Sequence, residues 1–285
     1  PLAVNHGLAS YFAAHLSTQE LQQRRQHLRH RLEAEAARET RQASEQEALL
    51  AAVPEGEALQ RRADALLSQR QPSRQCIDEA QKLYKTARKR RRSVAAITPR
   101  LEMHRQRLSG LEASLTYLDQ ADSLDQVASL ATELEALLGE RKHGSQGRSR
   151  QARHAQANEG VPQPLELHTA AGLALQVGRN HRQNEWIAFR QARRGDLWFH
   201  AQEIPGSHVV LKSSQQQPSE GDLQAAADLA AHFSRGRGNR RVPVVMVPTE
   251  ELQRIPGAAP GTVRHRGGTV LWGEPQRALS LLPEV

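Results

Sequence analysis

Apolar residues recur along this chain in two different periods, and the change between them falls near residue 140. Before it the spacing is helical. Cys76, Ala80, Leu83, Ala87, Arg90, Val94, Ile97, Leu101, His104, Leu108, Leu111, Leu115 and Leu118 follow one another in alternating steps of four and three. Such a heptad ladder predicts a coiled-coil seam. It is rich in large apolar residues from Val94 onward and thin before it, where alanine and arginine take their place. An earlier stripe over 18–50 (Leu21, Leu28, Leu32, Ala36, Ala43, Leu50) supplies the partner helix. Pro54 and Gly56 interrupt it, a short helix over 57–69 follows, and Pro72 with Ser73 opens the second arm. The implied geometry is an antiparallel helical hairpin with its tip at 51–73. At ~1.5 Å per residue its arms would project roughly 45–65 Å. Pro99 removes a backbone donor inside the ladder and predicts a bend or local break near 94–97. A last helix over 123–138 begins with the capping pair Ser123 and Gln126 and turns Leu124, Val127, Leu130, Leu134 and Leu137 toward the coil base.

After residue 164 the period shortens to two. Strands are expected over 165–168 and 173–177, joined by a turn at Ala170, Ala171 and Gly172. A polar loop over 178–185 then presents Arg179, Asn180, Arg182 and Asn184 outward, leading into a short helix over 185–193. In the next strand Asp196, Trp198 and His200 share one face, and Leu197, Phe199 and Ala201 the other. Pro205 and Gly206 suit the centre of a type II turn. A returning strand from Ser207 sets His208, Val210 and Lys212 on the face of the tryptophan, so two histidines and a lysine converge near the turn. An amphipathic helix over 219–234 buries Leu223, Ala226, Ala227, Ala230 and Phe233, and strands over 243–247, 262–266 and 269–272 complete the domain, the last two as a pair. The fold class is therefore α+β: a long antiparallel coiled-coil arm (18–138), a basic linker rich in Arg, Gly, Ser and Gln (139–163), and a compact mixed α/β domain (164–285).

Charge sharpens this division. The net +8 over 285 residues is spread unevenly. Basic against acidic residues number 20 to 19 in 1–140, 5 to 1 in 141–163, and 14 to 11 in 164–285. The arm is balanced except for one patch, Lys82, Lys85, Arg88, Lys89, Arg90, Arg91 and Arg92. That patch is either a solvated coil face or a polyanion site. The lack of a membrane-length apolar stretch favours nucleic acid over a bilayer as the polyanion. Cys76 is the only cysteine and no signal peptide precedes it, which together imply a cytoplasmic protein. The sequence begins at Pro1 rather than methionine, as a portion of a longer protein would.

The chemistry-bearing residues leave three readings of the hairpin open. Trp198 and its histidines form a hydrogen-bonded core, or a platform on which a nucleobase stacks, or, with Asp196, His200 and His208, a metal site of no recognised spacing. The loop 235–241 carries Arg235, Arg237, Arg240 and Arg241 among glycines and reads as a helix cap or as a phosphate contact. No Walker A loop, GxSxG elbow, HExxH pair or GxGxxG turn is present, so no catalytic residue, cofactor or metal is assigned.

Several blocks together resemble a known family. Gly178, Arg179 and Asn180 followed by Gln183 and Asn184, the run from Asp196 to His200, the run from Ile204 to Val210 and the alanine-rich helix ending near Phe233 resemble the C-terminal RNA-binding domain of the NFACT proteins, which are ribosome quality-control factors. The run from Asp78 to Lys85 resembles that family's middle coiled coil, and the run from Val4 to Phe12 its junction with a helix-hairpin-helix region, here 1–17. The resemblance implies a binding and tRNA-positioning factor rather than an enzyme. Its expected partners are the obstructed large ribosomal subunit, rRNA and tRNA, alanyl-tRNA in bacteria. Its task would be template-free alanine tailing of stalled chains, with peptide transfer performed by the ribosome. The expected RNA-binding residues are Arg179, Asn180, Arg182, Asn184, Arg193, Arg194, Asp196, Trp198, His200, Ser207, His208, Lys212, Arg235 and Arg237, and the coil patch is expected to meet the ribosome. A fibronectin-binding surface adhesin and a metal-dependent RNA-acting enzyme are the competing readings.

Overall fold

The computed structural model describes residues 2–51, 53, 56–142 and 163–283, with side chains over 15–51, 53, 56–138 and 163–283. Most of the linker expected over 139–163, and the side chains of the run from Val4 to Phe12, lie outside these residues. The chain divides into two compact units, Glu35–Leu108 and the combination of Pro1–Ala34 with Ser109–Val285. Helices α1 (Leu2–Ala51) and α3 (Arg74–Asp119) each contribute to both. The α+β class is as expected.

The unit of residues 35–108 is an antiparallel helical pair. Leu101, Ala80 and Ala87 of the ladder are buried, whereas Val94 is exposed. Helix α2 (Gly56–Leu67) takes part in the pairing: Ala63 is buried, Arg62 meets Glu79 at 2.9 Å, and Tyr84 donates to Asp64. The hairpin's tip is thus only residues 68–73, shorter than the 51–73 the breaks imply. Pro99 lies within an uninterrupted helix. Within the seam, His104 Nδ1 lies 2.6 Å from the buried Glu39 carboxylate.

In the other unit, α4 (Leu124–Lys142) starts where Ser123 Oγ accepts from the Gln126 amide and Gln126 Oε1 accepts from the Asp122 amide. Its Val127, Leu130 and Leu134 are buried, as are Leu28 and Leu32 of α1. The domain beyond is a six-stranded antiparallel sheet built from β1 (Leu165–His168), β2 (Ala174–Val177), β3 (Leu197–Ala201), β4 (Val209–Leu211), β5 (Val242–Pro248) and β8 (Thr269–Gly273), in the order β1-β2-β4-β3-β5-β8. β6 (Leu252–Arg254) and β7 (Val263–His265) form a separate pair, so the expected pairing of 262–266 with 269–272 does not occur. Helix α6 (Glu220–His232) covers one sheet face, burying Ala226, Ala227, Leu229 and Ala230 against Leu175, Phe199, Val209, Leu211 and Val244. A capping box at Ser219 and Asp222 starts it. A Cβ at Gly273 would lie 2.3 Å from Ala227 O, so only glycine lets β8 approach this helix.

The opposite face is covered too. Helix α5 (His181–Trp186) and the π turn Ile187–Gln191 set Ile187 and Ala188 against Trp198, Val210, Val245, Val247 and Leu252. The helix begins four residues earlier than the sequence pattern indicated, because Asn180 caps it: its Oδ1 accepts from the Gln183 amide at 2.8 Å.

Candidate nucleic-acid interface

The hairpin of β3 and β4 has the face assignment its alternation predicts, with Phe199, Ala201, Val209 and Leu211 toward α6 and Trp198 and Val210 on the other side. Trp198 is only 2% exposed, so the expectation of an accessible indole there is corrected: the second layer buries it. Asp196 is buried as well and is fully engaged. It accepts from Lys212 Nζ and from the amides of Arg193 (2.8 Å) and Ser214 (3.0 Å). Burial pushes its carboxyl up, but the Lys212 contact and the two amides outweigh this and leave it below the ordinary range. The turn also differs from expectation. Gly206 does not take a positive φ; the left-handed residue is Glu203, at φ 58°. Gly206 instead bridges to Ser234, and a Cβ there would lie 2.9 Å from the Ser234 side chain.

The polar block after β2 is a docking hub rather than an outward loop. Asn184 is buried, its Nδ2 donating to Tyr117 Oη at 2.8 Å and its Oδ1 accepting from the His208 amide at 3.1 Å. Tyr117 Oη in turn donates to Gly206 O at 3.2 Å. Asn180 Nδ2 donates to Ser129 Oγ at 3.1 Å, and Arg179 binds Gln120 O and Asp122. Glu133 receives the amides of His181 (3.2 Å) and Arg182 (3.0 Å) at the positive end of α5. These bonds tie α3 and α4 to the sheet domain. Burial of Asn180, Asn184, Asp196, Trp198, Ser207 and His208 removes their side chains from any broad contact surface. Half-exposed His200, Arg182 and Lys212 and the exposed Arg193, Arg194, Arg235 and Arg237 remain accessible.

Histidines gather around Trp198 in a cleft of about 590 Å³ lined by Tyr117, His181, His200, His208, His265 and the 202–206 loop. His200 stacks on the indole with ring centroids 5.5 Å apart, His208 meets it edge-on at 5.0 Å, and His265 lies at 5.8 Å. His200 Nε2 donates to Gly206 O at 3.3 Å, and His181 Nε2 to Gly110 O at 3.0 Å. Burial lowers His200 to about 4 and drives His208 well below its ordinary value, with the neighbouring imidazole adding to the latter. Both are neutral at physiological pH. Trp198 Nε1 and His208 Nδ1 are buried without a hydrogen-bond partner. Among the described residues no group of three His, Cys, Asp or Glu is arranged to hold a metal ion. Asp196 in particular is turned to Lys212.

Among the described residues, exposed cations form two clusters. In the sheet domain, the turn Arg235–Gly238 and the residues after it leave Arg235, Arg237, Arg240 and Arg241 exposed; Arg235 meets Glu112 at 3.6 Å and Arg241 meets Glu274 at 3.0 Å. On α3, Lys82, Lys85, Arg88, Lys89 and Arg92 are exposed, and none has an acidic partner among the described residues. Lys85, Arg88, Lys89 and Arg92 line one trough with Ser93 and Ala96. Arg91 bonds to Gln60, and Arg90 is half-buried and engaged. Sequence reading missed Trp272, whose indole is 56% exposed on β8. Its place on an edge strand, away from any motif, gave no signal.

Comparison with known proteins gives the class of both parts of the chain. The family model described as the NFACT protein RNA binding domain matches residues 165–267, and that of the NFACT N-terminal and middle domains matches 69–151. The chain thus carries an NFACT RNA-binding domain and part of the NFACT N-terminal and middle domains. A protein named Rqc2 homolog RqcH from Streptococcus pneumoniae serotype 2 is 35% identical over 192 residues, and one of the same name from Bacillus subtilis 29% over 194. These matches cover 67% and 68% of this chain but 33% and 32% of the relatives, so the chain spans about a third of their length. The solved structure of the C-terminal part of the fibronectin/fibrinogen-binding protein from Streptococcus suis superposes with a TM-score of 0.73 at 28% identity, covering 92% of this chain and 98% of that one.

Proposed function

We propose that this chain is the C-terminal portion of a ribosome-associated quality-control factor that binds the obstructed large ribosomal subunit and tRNA and supports template-free alanine tailing of stalled nascent chains. It acts as a binding and positioning factor in the cytoplasm, with rRNA and tRNA as partners and peptide transfer left to the ribosome. The observation that carries the reading is an RNA-binding domain joined to a helix bearing five exposed cations that lack acidic partners among the described residues. Lys82, Lys85, Lys89 and Arg92 recur at helical spacing, so their charges lie along one stripe, as a phosphate backbone requires.

Binding of tRNA and of large subunits at several salt concentrations tests this. Glutamine at Lys82, Lys85, Lys89 and Arg92 together should weaken subunit binding at least tenfold and reduce the slope of log affinity against log salt by about 3, from four lost phosphate contacts. Unchanged affinity and slope would remove the α3 stripe from the interface. A second reading, fibronectin binding, is favoured by the superposition on the Streptococcus suis protein, which is named for binding fibronectin and fibrinogen. Saturable binding to immobilised fibronectin, with no binding to subunits or tRNA at low salt, would select it.

A further inference from the structure

We propose that the histidine-lined cleft receives a single unstacked nucleobase from a single-stranded stretch of RNA, with the arginine loop 235–241 holding the flanking phosphates and Trp272 stacking the adjacent base. This rests on the RNA-binding reading and gives it a ligand and an address.

Register brings the three parts together. Ala201 at the end of β3 pairs with Val244, and Val242 at the start of β5 pairs with Gly273 at the end of β8, so one end of the sheet collects all three strands. The cleft's 202–206 loop is fixed there by Gln202 N donating to Pro243 O and Arg235 N donating to Pro205 O, both at 2.8 Å. The arginine loop therefore begins against the 202–206 loop that lines the cleft. On the sheet face that carries Trp198 and His200, the pairs His200↔Val245, Val245↔Val270 and Pro243↔Trp272 continue the row outward to the edge. Val270 and Trp272, 45% and 56% exposed, lie two strand spacings from β3, roughly 10 Å away.

The chemistry of each part assigns its occupant. Of the side chains that line the cleft, Trp198 carries a buried Nε1 donor and His208 a buried Nδ1, both without a partner, and the imidazole nitrogen accepts or donates according to tautomer. A buried polar group left unpaired is costly, and a base edge presents donors and acceptors side by side that meet both. Phosphate fits poorly inside: Glu112 and Glu203 stand among the cleft's lining residues, and burial keeps His200 and His208 neutral. Outside, Arg237 and Arg240 are exposed and have no acidic partner among the described residues. An exposed indole beside such cations is the arrangement that single strands use, stacking being tolerant of base identity.

The test uses the whole 285-residue chain, labelled with 15N, and a six-nucleotide single-stranded RNA. The oligonucleotide should shift the Trp198 indole N–H resonance, assigned by Trp198→Phe, and inorganic phosphate should not. Trp272→Ala should weaken oligonucleotide binding about fivefold or more, and Trp198→Phe, which keeps an aromatic ring and removes the donor, should weaken it while the circular-dichroism spectrum shows the chain still folded. A Trp198 indole that stays unmoved at saturation, or oligonucleotide affinity unchanged by both substitutions, overturns the proposal. Mononucleotides binding as tightly as the oligonucleotide would also overturn it, in favour of a free-nucleotide site. If tRNA binds and the oligonucleotide does not, the cleft proposal alone fails; if neither binds at low salt, the RNA-binding reading fails with it.

Discussion

Asp196 and the histidines near it illustrate how little a residue type says until its partners are known. Acid, indole and imidazole alternate along β3 as a catalytic row would. The acid nevertheless serves Lys212 and two backbone amides, and the imidazoles are desolvated into neutrality. Asp196→Asn should therefore destabilise the domain by about 2 kcal/mol, because it weakens a charge-assisted contact and strands a lysine; a urea titration giving an unchanged midpoint would refute this. The histidines set the pH response. Unfolded histidine takes up its proton near pH 6.5, whereas folded His200 does so only near 4 and His208 well below its ordinary value. The unfolded chain thus binds more protons between these limits, and stability, complete above about 6.5, falls as the pH is lowered toward 4. Urea midpoints measured from pH 7.5 to 4.5 should decline steadily, and His200→Gln should flatten the decline.

At the scale of elements, local signals worked where an element's own sequence carries its boundary. The amphipathic helix expected over 219–234 starts where its pattern places it, and the structure adds the reason, a capping box between Ser219 and Asp222. Ser219→Ala should lower the melting temperature by about 2–4 °C, corresponding to roughly 1 kcal/mol; a shift below half a degree would mean the cap is dispensable. Both strands of the β3–β4 hairpin were legible from alternation, and the heptad ladder located α3. The turn between the strands was not. Proline followed by glycine fits a type II turn in isolation, but Gly206 is taken up by its bridge to Ser234, a contact 28 positions away in sequence. The start of α5 was missed for a related reason. Asn180 looked like one more polar loop residue, and only its bond to the Gln183 amide makes it a cap.

Across the whole molecule, the block from Gly178 to Asn184 joins helices and sheet within the unit that contains both. A Cβ at Gly178 would fall 2.1 Å from Asn184 Oδ1, so this glycine is demanded by the close approach of the Asn184 side chain. Tyr117 Oη links Asn184 to Gly206. Tyr117→Phe should cost about 1–2 kcal/mol, since it leaves the buried Asn184 amide without its acceptor and Gly206 O with His200 as its remaining side-chain donor. Denaturant unfolding followed by tryptophan emission should report the loss, and equal stability would show that the link is redundant.

By itself the sequence determined the two-part plan, the heptad face of α3, the inward and outward alternation of β3 and β4, and the cationic stripe. Each of these is a local periodicity, written within a few turns or a few residues of one element. Its family blocks were legible as well, being short runs of fixed spacing. Tertiary structure alone decided that both sheet faces are covered. That single fact converts Trp198 from platform to cleft wall, turns Asn180 and Asn184 into docking groups, and leaves Trp272 as the indole in solvent. Burial is settled by which segment packs over a face, and the segments that cover Trp198, namely Ile187, Ala188 and Leu252, lie 10 to 54 positions from it in sequence. No periodicity within the strand records their arrival.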